Sequence, residues 1–333
     1  MINQIYVERE IKDHHRVSYI LRRFSSQRPL YIDHYGELFN RKNQNFRLQK
    51  SYPNLILAKK KRGYVLEAPK DFGIGDTYNF YFSHMFNCLY DCDYCFLQGM
   101  YSSADFVLFV NYEDFEDGIR EKIAQLKGQK ATFFSGYDCD SLAFEKVSGF
   151  VEYFLPVFKT LPNALMELRT KSIQQELLMF SSPIDNCVIA YSLMPDNMAK
   201  QLDRKAPTIE KRITAMRNLE KKGWKIGLRF DPLIYGKNWK TLYSDLFAHV
   251  FNCVSKEAIH SVTFGPLRFP KEMFKNLVKL NPESKLLSSP LFLRGTRITY
   301  KAEIELEMVN FCQELVRSYA PEAMSFNCRG DFQ

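Results

Sequence analysis

Between residues 77 and 266 the chain alternates between short apolar runs and stretches of helical period. The runs are TYNFYFSH, ATFFSG, ALMELRTKS, NCVIAYSLMP, KIGLRFDPLI and IHSVTFGP. Between them the spacing predicts helices over 112–127, 142–159, 173–180, 207–222 and 239–253. In the first of these, Phe115, Ile119, Ile123 and Leu126 fall on one face. The fourth begins APTIEKR, which puts Pro207 at the first helical position, where no N–H is needed. Six strands alternating with five helices imply a parallel sheet with right-handed crossovers. Six units are too few for a closed eight-unit barrel, so a partial, open barrel or a doubly wound sheet remains. In both, ligand groups collect at the C-terminal ends of the strands. Those ends carry the polar stretches 135–138, 169–172, 192–195 and 229–232.

The remainder sorts around this core. QIYVE, PLYID and NLILA read as strands, and 11–24 as a helix with Val17, Ile20, Leu21 and Phe24 on one side. APKDFGIGDTY, with Pro69, Gly73 and Gly75, marks a boundary. The expected organisation is an α/β appendage over 1–75, the partial barrel over 76–266, and a C-terminal α+β extension over 267–333 with a helix at 302–319.

Of the 333 residues, 46% are hydrophobic and 25% charged, which excludes a disordered chain. No apolar run reaches membrane-spanning length, and the N-terminus has no apolar signal region, so a cytoplasmic protein without a membrane partner is expected. Thiols are reduced in that compartment, so the eight cysteines are not read as a disulfide framework. The net charge of +8 is uneven. Residues 41–62 hold Arg41, Lys42, Arg47, Lys50, Lys59, Lys60, Lys61 and Arg62 with no acidic residue. A second basic region, 266–300, includes Arg268, Arg294 and Arg297. Interleaved with aromatics, the two regions favour a nucleic-acid partner over a merely solubilising surface.

The loop after the first core strand reads FNCLYDCDYCFLQGMY, with Cys88, Cys92 and Cys95 in a C-x3-C-x2-C spacing. Structural zinc takes four ligands, often as two C-x-x-C pairs, and no second pair exists. Three thiolates on a [4Fe–4S] cluster would leave one iron open to a small molecule.

Spacing, position and downstream pattern resemble the radical S-adenosylmethionine superfamily. The runs CLYDCDYCFLQGMY, FFSGYDCDSLAFEKVSGFV, LRTKS, AYSLMP, PTIEKRITAM and LFLRGTRITY are similar, in that order, to the spore photoproduct lyase family, in particular to a photolyase-like branch of non-sporulating bacteria. The resemblance implies a partial (β/α)6 barrel and a [4Fe–4S] cluster whose unique iron binds S-adenosylmethionine. It also implies a 5′-deoxyadenosyl radical, repair of a methylene-bridged thymine dimer in DNA, and an electron donor such as flavodoxin or ferredoxin. It makes Cys88, Cys92 and Cys95 the cluster ligands and Tyr94, inside their motif, a catalytic candidate. It sets Ser135, Gly136, Lys171 and Ser192 against the cofactor, and Arg294 and Arg297 near the DNA. Three positions depart from the pattern. Tyr137 occupies the column of the hydrogen-donating cysteine, with Cys139 two residues on, so either Tyr137 relays hydrogen through its O–H or Cys139 takes the role from a shifted position, unless Cys139 is only a buried thiol; and Phe96 replaces a relay tyrosine. Asp231, where the lyases have an apolar residue, has two readings: a cofactor ligand or a partner of Arg229. The alternatives kept are a radical enzyme on another nucleic-acid substrate and a cluster-containing nucleic-acid-binding protein without turnover.

Overall fold

The computed structural model describes residues 2–328. Six strands lie parallel and in chain order: β1 (Tyr78–Phe82), β2 (Ala131–Ser135), β3 (Ala164–Thr170), β4 (Cys187–Ser192), β5 (Lys225–Leu233) and β6 (Ile259–Pro266). A seventh, β7 (Met324–Asn327), continues the sheet in parallel beside β6. At the other edge Leu66–Glu67 pairs antiparallel with β1. The edges do not meet, so the sheet is an open half-barrel. The crossover helices include α1 (Tyr112–Gln125), α2 (Phe150–Lys159), α3 (Glu176–Phe180), α4 (Ile209–Lys222) and α5 (Trp239–Cys253). Phe133, Met166, Leu168, Ile189, Leu228 and Phe264 are buried in the resulting core. Each contributes roughly 1.5–3 kcal/mol by leaving water.

Four helix starts differ from expectation: the helix expected over 11–24 is His15–Arg22, the one over 173–180 starts at Glu176, and α4 and α2 start late for visible reasons. α4 begins at Ile209, because the Thr208 hydroxyl accepts from the Lys211 N–H (3.4 Å) and takes the capping position. Pro207 therefore lies just outside the helix, and its carbonyl receives the Arg212 guanidinium at 2.9 Å. The helix expected over 142–159 is interrupted at Gly149, whose φ of +58° is left-handed. The buried Glu145 carboxylate then caps α2, accepting from the N–H groups of Val151 (2.9 Å) and Glu152 (3.1 Å).

A smaller sheet forms from the N-terminal part in the order Leu30–Ile32, Ile5–Glu8, Leu55–Ala58, Phe106–Phe109, Met85–Phe86. Its last two strands come from beyond residue 75, so the expected boundary there does not separate the two sheets. The strand Phe106–Phe109 was not foreseen. All four of its residues are buried, and it runs almost directly into α1. The C-terminal part folds Arg268–Pro270, Arg297–Thr299 and Phe292–Arg294 into an antiparallel sheet. It also supplies α6 (Ala302–Tyr319), which packs on α5, and β7. Among the described residues no helix is long and apolar enough to cross a membrane.

Candidate active site at the mouth of the half-barrel

The cysteine loop leaves the small sheet after Phe86 and returns to it at Phe106. Asn87 ties its ends, donating to the carbonyls of Ser103 (2.8 Å) and Asp105 (2.7 Å). Supports reach it from two sides. From the helix Phe46–Ser51, Lys50 Nζ donates to the Cys88 carbonyl and Arg47 pairs with Asp91 at 3.0 Å. From the segment after α3 and β4, Leu202 and Arg204 carbonyls accept the N–H groups of Asp93 and Asp91, each at 2.9 Å, and Arg204 pairs with Asp93 at 2.6 Å. Gly99 lets the helix Lys271–Leu280 close on the loop, because a Cβ there would lie 2.3 Å from the Met273 carbonyl oxygen. The two basic side chains Arg47 and Lys50, read in the sequence as polyanion contacts, are therefore turned inward as props of this loop.

Burial pushes the Cys88 thiol up to about 12 and raises Cys95, and Cys92 well above the ordinary thiol range. Among the described residues no three His, Cys, Asp or Glu side chains close on a single ion. All three are free thiols that line one cavity, and thiolates are the donor type an iron–sulfur cluster takes.

Facing the loop, Asp140 organises the turn after β2. It accepts from the N–H groups of Leu142 (3.0 Å), Ala143 (2.9 Å) and Lys171 (2.6 Å) and from the Thr170 hydroxyl (2.7 Å). Ser135 Oγ donates to the Glu167 carbonyl at 2.9 Å, and Gly136 has a φ of +80°, where a Cβ would meet Ser141 Oγ at 2.6 Å. Lys171 Nζ lies 3.9 Å from Asp203 and 5.1 Å from the Tyr94 ring centre. The Tyr94 hydroxyl donates to Asp203, and the buried Arg212 pairs with the same carboxylate at 2.7 Å. Burial opposes the Lys171 charge, but Cys92 and Asp203 outweigh it and hold the ammonium protonated. Arg212 also donates to the Ser192 carbonyl at 3.0 Å.

The other wall is aromatic. Tyr137 stacks on Tyr81 with ring centres 4.4 Å apart and meets Phe96 at 5.8 Å. Burial pushes its hydroxyl up to about 12, with Tyr81 and Asp138 adding to the rise. Cys139 belongs to the second apolar core, with Met85, Phe106 and Phe144, and its Sγ sits 3.9 Å from His84 Nδ1. Burial lowers His84 to about 3, so this imidazole is neutral, stacked 3.8 Å from Phe150.

Cys88, Cys92, Tyr94, Cys95, Ser135, Gly136, Tyr137, Cys139, Lys171 and Ser192 all line one cavity of about 210 Å³. Arg294 and Arg297 do not line it. They face each other across the turn of the C-terminal antiparallel sheet, and Arg294 pairs with Glu305. Asp231 lines the cavity but pairs with Arg268 (2.9 Å), not with Arg229. Arg229 is wholly buried against Glu167 at 2.8 Å, while Asp231 sits farther toward the mouth, where Arg268 arrives. Sequence reasoning missed Arg268, Asp203, Arg212 and Phe72 as site residues. Each reaches the mouth through tertiary approach, and only Arg268 carried a signal, its place in the second basic region.

The arrangement defines a class: an open α/β half-barrel with a thiol-bearing loop and a buried cation sharing one cavity at its strand ends. The spore photoproduct lyase family profile matches residues 78–290, and the chain belongs to that family. The spore photoproduct lyase of Bacillus subtilis strain 168 is 21% identical over 202 residues, covering 60% of this chain and 59% of the relative. That of Clostridium acetobutylicum is 22% identical over 200 residues, again 60% of this chain and 59% of the relative. The chain thus aligns with less than two thirds of each. Among solved structures, a cysteine-to-serine variant of spore photoproduct lyase superposes with a TM-score of 0.83 at 14% identity, covering 98% of this chain and 99% of the other. A cysteine-to-alanine, serine-to-cysteine variant with bound AdoMet and dinucleoside spore photoproduct gives 0.82 at 15% identity and 98% of both chains. These likenesses establish the partial-barrel fold, in place of a doubly wound sheet.

Proposed function

We propose that this protein is a radical S-adenosylmethionine lyase acting on a thymine-dimer lesion in DNA, with Cys88, Cys92 and Cys95 holding a [4Fe–4S] cluster. The observation that carries the reading is the shared cavity, which gathers three free thiols and the buried ammonium of Lys171. Family membership and the AdoMet and spore photoproduct bound to one related structure support it. When bound, the cluster and S-adenosylmethionine supply a 5′-deoxyadenosyl radical. The chain's own residues do the rest. Lys171 is a counter-ion for the methionine carboxylate. Asp203, fixed by Arg212 and Tyr94, aims that ammonium. The backbone at Ser135 and Gly136, and the Ser192 side chain, complete the cofactor's seat. Tyr137, held in place by Tyr81 and Phe96, would relay a hydrogen atom through its O–H, giving one to the substrate radical and regaining one from the 5′-deoxyadenosine that took it from the lesion. Cys139, with its sulfur against His84 in the second core, serves packing instead. Arg294 and Arg297, on the C-terminal antiparallel sheet, contact phosphate outside the cavity. The protein works in the cytoplasm with a low-potential electron donor.

Tyr137 and Phe96, at positions where the lyases carry a cysteine and a tyrosine, favour a second reading: the same radical chemistry on another nucleic-acid substrate. The test is anaerobic reconstitution with iron and sulfide. The wild type is expected to turn brown and cleave AdoMet to 5′-deoxyadenosine, and Cys88→Ala to do neither. Cleavage surviving in that variant would sink both readings. Thymine recovery from DNA carrying the spore-type dimer then separates the first reading from the second.

A further inference from the structure

The basic run 41–62 approaches the cysteine loop from its outer side. None of its residues lines the cavity. The run divides in two. Its later half does not reach the thiols: Lys60 turns inward over the Phe86 and Phe109 rings, and Lys61 pairs with Glu10 at 2.9 Å. Its earlier half builds the helix Phe46–Ser51, which spans the distance from solvent to the thiol loop. On the inner side Phe46 and Lys50 are buried, and Lys50 reaches the carbonyl of Cys88 itself. On the outer side Leu48 is 62% exposed, and Tyr52, just past the helix, 66%. Arg41 and Lys42 are exposed just before the helix, and Lys205 joins it from the opposite segment, its Nζ 2.9 Å from the Lys50 carbonyl. One thin helix with an apolar and cationic outer face therefore separates solvent from a proposed cluster ligand.

We propose that this outer face, centred on Leu48 and Tyr52 and ringed by Arg41, Lys42 and Lys205, docks a small acidic protein that carries single electrons. The proposal rests on the cluster reading above and adds the place where the cluster is reduced. The carrier loses one electron and the cluster gains it, with no proton or bond exchanged. The charge sign selects the partner: a cationic face free of acidic neighbours in its own run steers an anionic one, raising its association rate at low salt. The exposed leucine and tyrosine supply the apolar centre that a weak, transient contact needs. On the cluster reading the substrate enters from the cavity, which no residue of the run 41–62 lines, so donor and substrate would not compete for one face.

The experiment follows the bleaching of the reconstituted holoenzyme's visible band, and its electron paramagnetic resonance signal, under two reductants. One is a photoreduced acidic flavodoxin, and the other is the small, neutral radical of photoreduced 5-deazariboflavin. The Arg41→Glu/Lys42→Glu double variant and the Leu48→Ser variant are compared with wild type. The expected result is a fall of about tenfold or more in the flavodoxin rate constant for the charge variant, with loss of its salt dependence. Leu48→Ser should lower the flavodoxin rate at all salt concentrations, and both variants should react normally with the deazaflavin radical. Unchanged flavodoxin rates, or equal slowing with both reductants, would overturn the docking site. A wild type that even the deazaflavin radical cannot reduce would overturn the cluster reading beneath it.

Discussion

The two walls of the cavity are built by opposite means. On the wall running from the cysteine loop to Ser192, charge meets charge: Lys171 and Arg212 share Asp203, and Arg169 and Arg229 share Glu167. On the wall from Tyr81 through Tyr137 to Phe96, ring meets ring. A buried ionic network is costly to disturb, because each lost partner strands a charge in low dielectric. A stack of rings is worth about 0.5–1.5 kcal/mol per pair and tolerates sliding. The first wall suits a cofactor of fixed shape. The second can yield to a bulky substrate, and two of the departures expected from the lyase pattern, Tyr137 and Phe96, fall on it, while the third, Asp231, is paired with Arg268.

The sharpest way to break this comparison is to remove one oxygen from the aromatic wall. Tyr137→Phe keeps the stack and loses the O–H. We expect about a 100-fold loss of substrate turnover, equivalent to about 2.7 kcal/mol in the barrier, with AdoMet cleavage intact. Cys139→Ala should change turnover by less than about threefold. Product yield and 5′-deoxyadenosine, measured together, decide the matter, and the opposite ranking would return the hydrogen-donor role to the thiol.

The charged wall is tested through stability. Burial opposes the Glu167 charge, but Arg229 and Arg169 prevail and bring its carboxyl down to about 2. A depressed carboxyl contributes stability above its ordinary value, 4.5, and that stability is lost as pH falls toward about 2. Glu167→Gln leaves Arg229 buried without a counter-charge and should cost roughly 3 kcal/mol at pH 7. Denaturant midpoints across pH should show the gap between wild type and variant closing as the solution is acidified below about pH 4. A gap that stays constant would detach the pair from the acid response.

The smallest effect is expected outside both walls. Arg297→Ala should weaken DNA binding a few-fold and reduce the salt slope of the affinity by about 1, the mark of one phosphate contact. An unaltered slope in a fluorescence-anisotropy titration would remove this residue from the interface.

The strands of the half-barrel were legible because each is an apolar run bounded by turn residues. The cysteine loop was legible because its spacing is chemistry written locally. Other features were not, for physical reasons. Phe106–Phe109 is buried on both faces and pairs with Leu55–Ala58, some fifty residues earlier, so neither period nor neighbour announces it. Asp203 and Arg268 become site residues only where distant segments meet. Charge counting found the basic run 41–62, but composition does not say which side chains turn inward. Lys50 and Arg47 point to the thiol loop, while Arg41 and Lys42 remain in solvent.

Both ends of the cysteine loop are paired in the smaller sheet, Met85–Phe86 against Phe106–Phe109, and the latter lies along Leu55–Ala58. The family profile begins at residue 78. The stretch by which this lineage is recognised therefore keeps the two strands at the ends of the loop and leaves out what braces them from behind, Leu55–Ala58 and the helix Phe46–Ser51. A chain shortened to that stretch would keep all three thiols while Phe106–Phe109 lost one of its two partner strands and Cys88 lost the ammonium on its carbonyl.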